Sequence, residues 1–441
     1  MTMKTNRWWT KLLILAAVTL LLCAVLARIG WLVDERQQRQ REAEASVEQS
    51  QAGAQTLLGP LLQRDCIERW ETVSGSGADR KVQAESRDIA LRQLPSNLSV
   101  SGALNQEPRY RGLFKVNGYA GALQLDAQFA STEALQLPRA EHPDGKVSCA
   151  APRMVLAVGD ARGLRMAEVR LDGQKLTVKP GTTLSTYPRG LHAELPAAAL
   201  GSSLQMQLKL QLAGTQRFAL VPAAAATQLD IRSDWPHPSF GGRFLPVSRE
   251  VNEQGFSARW QVSELASGAA DDVLASKPAP DTLEFAMVDP VNPYVMSDRA
   301  IKYGLLFIVL SFVTVGLVEL LGGRRVHPVQ YLLVGLALSI FFLLLLSLSE
   351  HLSFELSYAL AAGAAASLLG YYGVAMLGGW GRGLAFGVGI AGLYGALYVL
   401  LSMEQAALLL GALLLFAVLA AVMALTRRLD WYALSERVSA G

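Results

Sequence analysis

Gly304-Leu-Leu-Phe-Ile-Val-Leu-Ser-Phe-Val-Thr-Val-Gly-Leu-Val-Glu-Leu-Leu321 is followed by Gly-Gly-Arg-Arg-Val-His-Pro328 and then by a second apolar run, Val329–Leu348. A bilayer core about 30 Å thick needs about 20 mostly apolar helical residues. Both runs meet that length, and so do Phe354–Leu377, Leu384–Leu401 and Ala406–Leu425. Near the start of the chain, Leu12–Val33 is interrupted only by Arg28. The pattern predicts a single N-terminal membrane anchor and a C-terminal bundle of five transmembrane helices.

The placement of Lys and Arg predicts the direction of threading, because short cytoplasmic flanks carry the excess of these residues. Lys4, Arg7 and Lys11 precede the first run. Arg324 and Arg325, Arg382, and Arg427 with Arg428 fall in later loops of the same parity. The alternate loops, Ser349–Ser353 and Ser402–Gln405, contain no Lys or Arg. Six spans satisfy all four clusters with both termini cytoplasmic and residues 34–302 outside the cytoplasm. A rival reading treats Leu12–Ala27 as a cleaved signal, since Val25 and Ala27 fit a small-residue cleavage pattern. The intervening domain lies outside under either reading.

Hydrophobic residues make up 51% of the 441, yet they concentrate at the two ends and leave a middle of soluble character. Residues 34–58 read as a polar helix leaving the membrane, and residues 59–302 as a β-rich domain. Leu123-Gln-Leu-Asp-Ala-Gln-Phe129, Leu204–Leu212 and Phe256–Val262 alternate apolar with polar. Period two gives a strand one buried and one wet face, which suits antiparallel sheet. Asp172-Gly173, Pro180-Gly181 and Gly241-Gly242 supply turns between such runs. The expected fold is an antiparallel β-sandwich, followed by the bundle at 303–428 and a cytoplasmic tail at 429–441. A net charge of +3 gives no argument for nucleic acid. The three cysteines are Cys23, Cys66 and Cys149, with no CxxC. Cys66 and Cys149 are candidate disulfide partners in an oxidising compartment; the alternative is two separate buried thiols.

Several unusual segments occur in one order: Leu57-Leu-Gly-Pro-Leu61, Val158-Gly-Asp-Ala-Arg-Gly163, Ser233-Asp-Trp-Pro-His-Pro-Ser-Phe240, Phe244-Leu-Pro246, Asp298–Tyr303, Arg325–Gly335, Leu343–His351 and Asp430-Trp-Tyr432. Over nearly its whole length the chain resembles the CreD family of bacterial inner-membrane proteins. The resemblance implies an inner-membrane location and a role in cell-envelope integrity. It implies no catalytic residues.

The residues themselves point the same way. Gly387-Val-Gly-Ile-Ala-Gly392 matches GxGxxG but lies inside an apolar run. A dinucleotide loop needs a strand before it, so the spacing reads instead as close helix packing. No GxSxG, HExxH or Walker sequence is present. No cofactor, metal or catalytic residue is expected. Trp235, His237 and Phe240 form a proline-stiffened candidate partner-binding loop, with a structural corner as the alternative. Glu350, His351 and Glu355 form a candidate polar cluster at the membrane interface, with helix-end stabilisation as the alternative; Ser353 is placed to cap the next helix. The function expected is support of envelope integrity, the outer domain binding a protein or envelope component beside the lipid bilayer. Transport or lipid handling by the bundle is the second hypothesis.

Overall fold

The computed structural model describes residues 7–74, 81–289, 292–322, 326–403 and 407–427. The chain divides into two compact units, Arg41–Pro290 and the remainder.

The unit Arg41–Pro290 is all-β apart from the end of one long helix, a short helix α2 (Ala269–Leu274) and single turns. One nine-stranded sheet has the order β11 (Val178–Pro180), β12 (Gly190–Glu194), β8 (Arg153–Ala157), β1 (Gln55–Ser74), β14 (Arg217–Leu220), β19 (Leu283–Met287) and β16 (Pro238–Gly242). Two further strands, β2 (Lys81–Gln93) and β7 (Lys146–Cys149), pair along β1. An eight-stranded sheet runs β10 (Gln174–Leu176), β9 (Leu164–Leu171), β13 (Leu204–Thr215), β6 (Gly118–Phe129), β3 (Asn97–Gln106), β15 (Ala226–Ser233), β18 (Gly255–Ser263) and β17 (Ser248–Asn252). A separate hairpin joins β4 (Arg109–Arg111) to β5 (Phe114–Val116).

The alternation along β13 is a burial pattern. Leu204, Met206, Leu208, Leu210 and Leu212 are buried, and the Gln and Lys residues between them are exposed. One hydrophobic core collects Leu62, Met154, Phe218 and Phe285 from the first sheet with Leu98, Leu123, Leu208 and Trp260 from the second. Trp260 is fully buried and its indole donates to the Phe244 carbonyl at 3.1 Å. A smaller core holds Leu58, Leu61, Val155 and Val273.

Two expectations are corrected. The sheets are mixed, not antiparallel: β1 pairs parallel with β14, and β3 pairs parallel with β15. Parallel neighbours need a long connection, and the chain makes strands of both sheets between β3 and β15. Period two reports which face is buried; it carries no information on the direction of the neighbour. The boundaries also move. The helix predicted over 34–58 ends at Ser50, and Gln55 already pairs with Phe218. The last strand of the β unit ends at Met287, so 293–302 is helix and groups with the apolar helices.

That second unit contains most of α1 (Arg7–Ser50), then α3 (Pro293–Lys302), α4 (Gly304–Gly322), α5 (Pro328–Ser349), α6 (Phe354–Leu377), α7 (Trp380–Ser402) and α8 (Ala407–Thr426). Among the described residues, four helices are long and apolar enough to cross a membrane: α1, α5, α6 and α7. The pair α3 and α4, bent by 44°, makes a fifth, and α8 contains a shorter apolar stretch. Pro293 and Pro328 sit at helix starts, where a missing N–H costs nothing. Asn292, His327 and Ser353 accept from backbone N–H groups at the starts of α3, α5 and α6. Arg324, Arg325, Glu404 and the tail 429–441 lie outside the described residues.

Leu22, Leu26 and Ile29 of α1 are buried in the helical core. Leu22 occupies the space a side chain at Gly335 would need, and Leu26 does the same at Gly304. These residues bracket the Val25–Ala27 cleavage pattern, so that segment is a packed member of the bundle. The close-packing reading of the glycines holds for one face only. A Cβ at Gly387 would lie 2.9 Å from Gly370 Cα, and one at Gly383 2.4 Å from Val374 N. Gly389, Gly392 and Gly395 meet nothing within 4 Å. Gly387→Leu should therefore lower the melting temperature of the detergent-solubilised protein, by the equivalent of about 1–3 kcal/mol for overpacking. Gly387→Ala should do less, and Gly389→Leu should be tolerated. Equal melting temperatures for the leucine variants at 387 and 389 would show that the α6–α7 contact does not need a glycine.

Candidate functional site

The segment Val158–Gly163 leaves β8 and turns back as a single 3-10 turn, with Asp160 accepting from Arg162 N at 3.0 Å. The Asp160 carboxylate also accepts from Gly53 N at 3.2 Å and from Arg162 Nη2 at 2.5 Å. The Arg162 guanidinium reaches beyond it. Nη2 donates to the Glu48 carbonyl at 2.8 Å, and Nη1 donates to that of Gln49. These carbonyls belong to the last turn of α1, where helical geometry leaves acceptors without partners. A cation there also faces the negative end of the helix dipole.

Gln55 completes the joint. Its buried carboxamide donates to the carbonyls of Asp160 at 2.9 Å and Ala213 at 3.0 Å, and accepts from Asp160 N at 3.1 Å. Thr215 donates to Ala52 O at 3.2 Å, and Gln216 to Glu44 at 3.2 Å. Gly163 leaves no room for a side chain: its Cβ would fall 2.1 Å from the Ala213 carbonyl oxygen. The hydrogen bond from Arg162 holds the Asp160 carboxyl at about 2, below its ordinary 3.8. Every strong donor and acceptor of this motif is engaged, so it acts as a joint and leaves no free base or nucleophile.

The two aromatic residues of the predicted partner loop are not displayed. Trp235 is only 3% exposed, its indole donates to the His237 carbonyl at 2.8 Å, and the Lys115 ammonium lies 5.4 Å from its ring centre. Phe240 lies on β16, half-buried, edge-on to Phe256 at 5.5 Å and Trp260 at 5.7 Å. His237 alone is exposed. The prolines stiffen a corner whose aromatic residues pack in or against the core, as the structural reading of the segment expects.

Of the interfacial cluster, Glu350 pairs with Arg36 of α1 at 3.3 Å. His351 and Glu355 are exposed, with no ion pair between them among the described residues. Among the described residues no group of three His, Cys, Asp or Glu side chains is set to hold a metal. Cys66 and Cys149 face each other across β1 and β7 and are joined by a disulfide.

Sequence reasoning missed three charge pairings. Glu319 bonds Lys11 and accepts from Tyr331 Oη at 3.0 Å, so the bundle holds a paired charge. Arg36 with Glu350 is the second. The third is Glu68, a fully buried carboxylate held by Arg87 at 3.1 Å and by the backbone N–H groups of Glu141 and His142 at 2.8 and 2.9 Å. Lys11 was legible as a topology signal and Glu319 as a span end; nothing in the linear pattern pairs them.

On the outer face of the eight-stranded sheet a recess of about 490 Å³ is lined by Asn97, Ser99, Asp126, Gln128, Gln228 and Gln261. Thr227 borders it, but alternates with Gln228 along β15 and is buried on the same face as Leu229 and Ile231.

A family model described as Inner membrane protein CreD matches residues 7–432. The chain belongs to the CreD family. It is 35% identical over 442 residues to Inner membrane protein CreD of Escherichia coli (strain K12), covering 98% of this chain and 95% of that protein. Membership makes this an inner membrane protein with several apolar helices, and a role in envelope integrity is consistent with the family. Among solved structures, an M1 zinc metallopeptidase from Deinococcus radiodurans aligns with a TM-score of 0.25 and 10% identity over 44% of this chain and 41% of its own. Yeast LTA4 hydrolase aligns with a TM-score of 0.21 and 8% identity over 49% and 34%. Overlap this slight carries no argument about fold or chemistry.

The joint makes a pH prediction. A carboxyl held below its unfolded value contributes stability that is present above that value, 3.8, and lost as pH falls through about 2. Asp160→Asn should lower stability by on the order of 2 kcal/mol near neutral pH. In thermal unfolding followed by tryptophan fluorescence, the gap between wild type and Asp160→Asn should shrink from pH 6 to pH 2. A gap that stays constant over that range would mean the Asp160 charge does no stabilising work.

Proposed function

We propose that this protein supports envelope integrity from the periplasmic face of the inner membrane, by binding a polar envelope component or protein with its β unit. On this reading both termini are cytoplasmic, and the two large sheets pack face to face as a sandwich. The observation that carries the placement is the Cys66–Cys149 disulfide, which belongs to an oxidising compartment. The basic clusters flanking the apolar helices support the same side. The recess on the eight-stranded sheet supports the binding role. Its amide and carboxylate side chains offer donors and acceptors together. Hydrogen-bonding groups of that kind suit a hydroxyl- or amide-rich ligand.

A second reading, transport or lipid handling by the bundle, is favoured by the Lys11–Glu319–Tyr331 group and by the bent α3–α4 pair. Paired charges and broken helices at membrane depth are common parts of transport pathways. Against it, the two ion pairs that join α1 to other helices among the described residues lie toward the ends of its apolar stretch, as helix-fixing contacts do.

Two measurements test the proposal. Cysteines introduced at Leu265 and Ser402 should react with an impermeant reagent from the periplasm, and one at Gly381 should not. The reverse pattern would overturn the placement. In a deletion strain, Gln128→Ala with Gln261→Ala should impair the envelope phenotype at normal protein abundance, while Glu319→Gln should matter less. Full function of the recess variant with loss in a stably folded Glu319→Gln variant would transfer the activity to the bundle.

A further inference from the structure

The β4–β5 hairpin, Arg109-Tyr-Arg-Gly-Leu-Phe-Lys115, belongs to neither large sheet. Its strands pair Arg109 with Val116 and Arg111 with Phe114, leaving Gly112 and Leu113 as a two-residue turn. Gly112 has φ +60°, the left-handed value that a primed hairpin turn requires at this position. The tip is therefore a formed structure, and it exposes apolar side chains. Tyr110 is 68% exposed and Leu113 58%. Arg111 is exposed and makes no ion pair among the described residues. Arg109 pairs with Glu107 at 2.6 Å, and Lys115 lies over Trp235. Among the described residues, the acidic groups bonded at its base are Glu107, which also binds Arg165, Asp234, which accepts from Gln106 N, and Asp289, which accepts from Asn117.

The hairpin springs from a particular end of the β unit. Asn117, next to β5, bonds Asp289, close to where the chain leaves for α3. Its carbonyl accepts from Gln216 N, and the Gln216 side chain bonds Glu44 of α1. Both chain connections to the apolar helices thus attach at the hairpin's end of the unit. The hairpin, from Asn117 to Gly112, extends about 17 Å at 3.3 Å per residue.

We propose that this hairpin docks on an anionic lipid surface, Tyr110 and Leu113 entering the interfacial layer while Arg111 meets headgroup phosphates. Tyrosine has the amphipathic ring that membrane interfaces favour, and basic side chains near a surface are drawn to anionic lipid. A two-stranded hairpin is marginal in water by itself; contact with a lipid surface gives its apolar tip a partner. The proposal is independent of the recess and of which side of the membrane the β unit occupies, so its failure would leave both untouched.

The test uses the full chain with Cys23 replaced by Ala, in nanodiscs that present both membrane faces. An environment-sensitive dye is attached at Leu113→Cys or at Tyr110→Cys. The control is Leu265→Cys, 94% exposed and just beyond the Ala226–Ser263 end of the paired β15 and β18, whereas the hairpin adjoins the Ser233–Phe256 end. Nanodiscs contain neutral phosphatidylcholine alone or with phosphatidylglycerol, doped with lipids carrying a quencher on the acyl chain. Dyes at 113 and 110 should be quenched at least about threefold more than at 265, more strongly with anionic lipid. Arg111→Glu should reduce that quenching without changing the melting temperature. Quenching at 113 and 110 no greater than at 265, or equal in neutral and anionic discs, would overturn the proposal.

Discussion

A helix that ends inside a protein leaves carbonyls that something must satisfy, and here Arg162 does it. Its guanidinium spans the carbonyls of Glu48 and Gln49 on one side and the Asp160 carboxylate on the other. Lysine could not serve both partners, because its single ammonium lacks the planar fork. Around that contact the start of β1, the turn after β8 and the end of β13 converge through Gln55. The nine-stranded and eight-stranded sheets are thus tied near the point where the chain enters the β unit. The two glycines of the motif follow from the same crowding, since Gly159 lies against the backbone of residues 54–56 and Gly163 against the Ala213 carbonyl and the Gln55 side chain.

The apolar part of α1 obeys a different constraint. In a bilayer its backbone is self-satisfied, so position must come from side chains. Leu22 and Leu26 fit against Gly335 and Gly304, and ion pairs stand toward the two ends, Lys11 with Glu319 and Arg36 with Glu350. Charges there fix the helix lengthwise, while the leucine–glycine contacts fix its rotation. An N-terminal span with only a tethering role would need neither.

Most of this architecture is legible in the sequence wherever one periodicity decides it. Apolar length marks the helices, and period two marks the faces of β6, β13 and β18. What the chain does not advertise is pairing. Alternation is identical for parallel and antiparallel neighbours, so β3 with β15 and β1 with β14 were unreadable. The Trp235–Phe240 segment leaves two readings open for a related reason. Prolines and aromatics look alike in a binding loop and in a stiff corner, and only the depth of Trp235 separates them. Val158–Gly163 stood out as unusual, but its work depends on carbonyls more than a hundred residues earlier.

The balance of polar groups bears on mechanism. A catalytic centre keeps a base or nucleophile incompletely engaged and close to a cavity. In this protein the strongly placed charges are consumed by structure. Asp160 and Arg162 close the joint, and Glu68 and Arg87 hold the turn at Glu141 and His142 beside the Cys66–Cys149 disulfide. The groups facing the recess are neutral amides and the Ser99 hydroxyl, together with Asp126. Amides recognise by geometry and do not transfer protons at neutral pH. Those amides are the groups on which the proposed binding role rests.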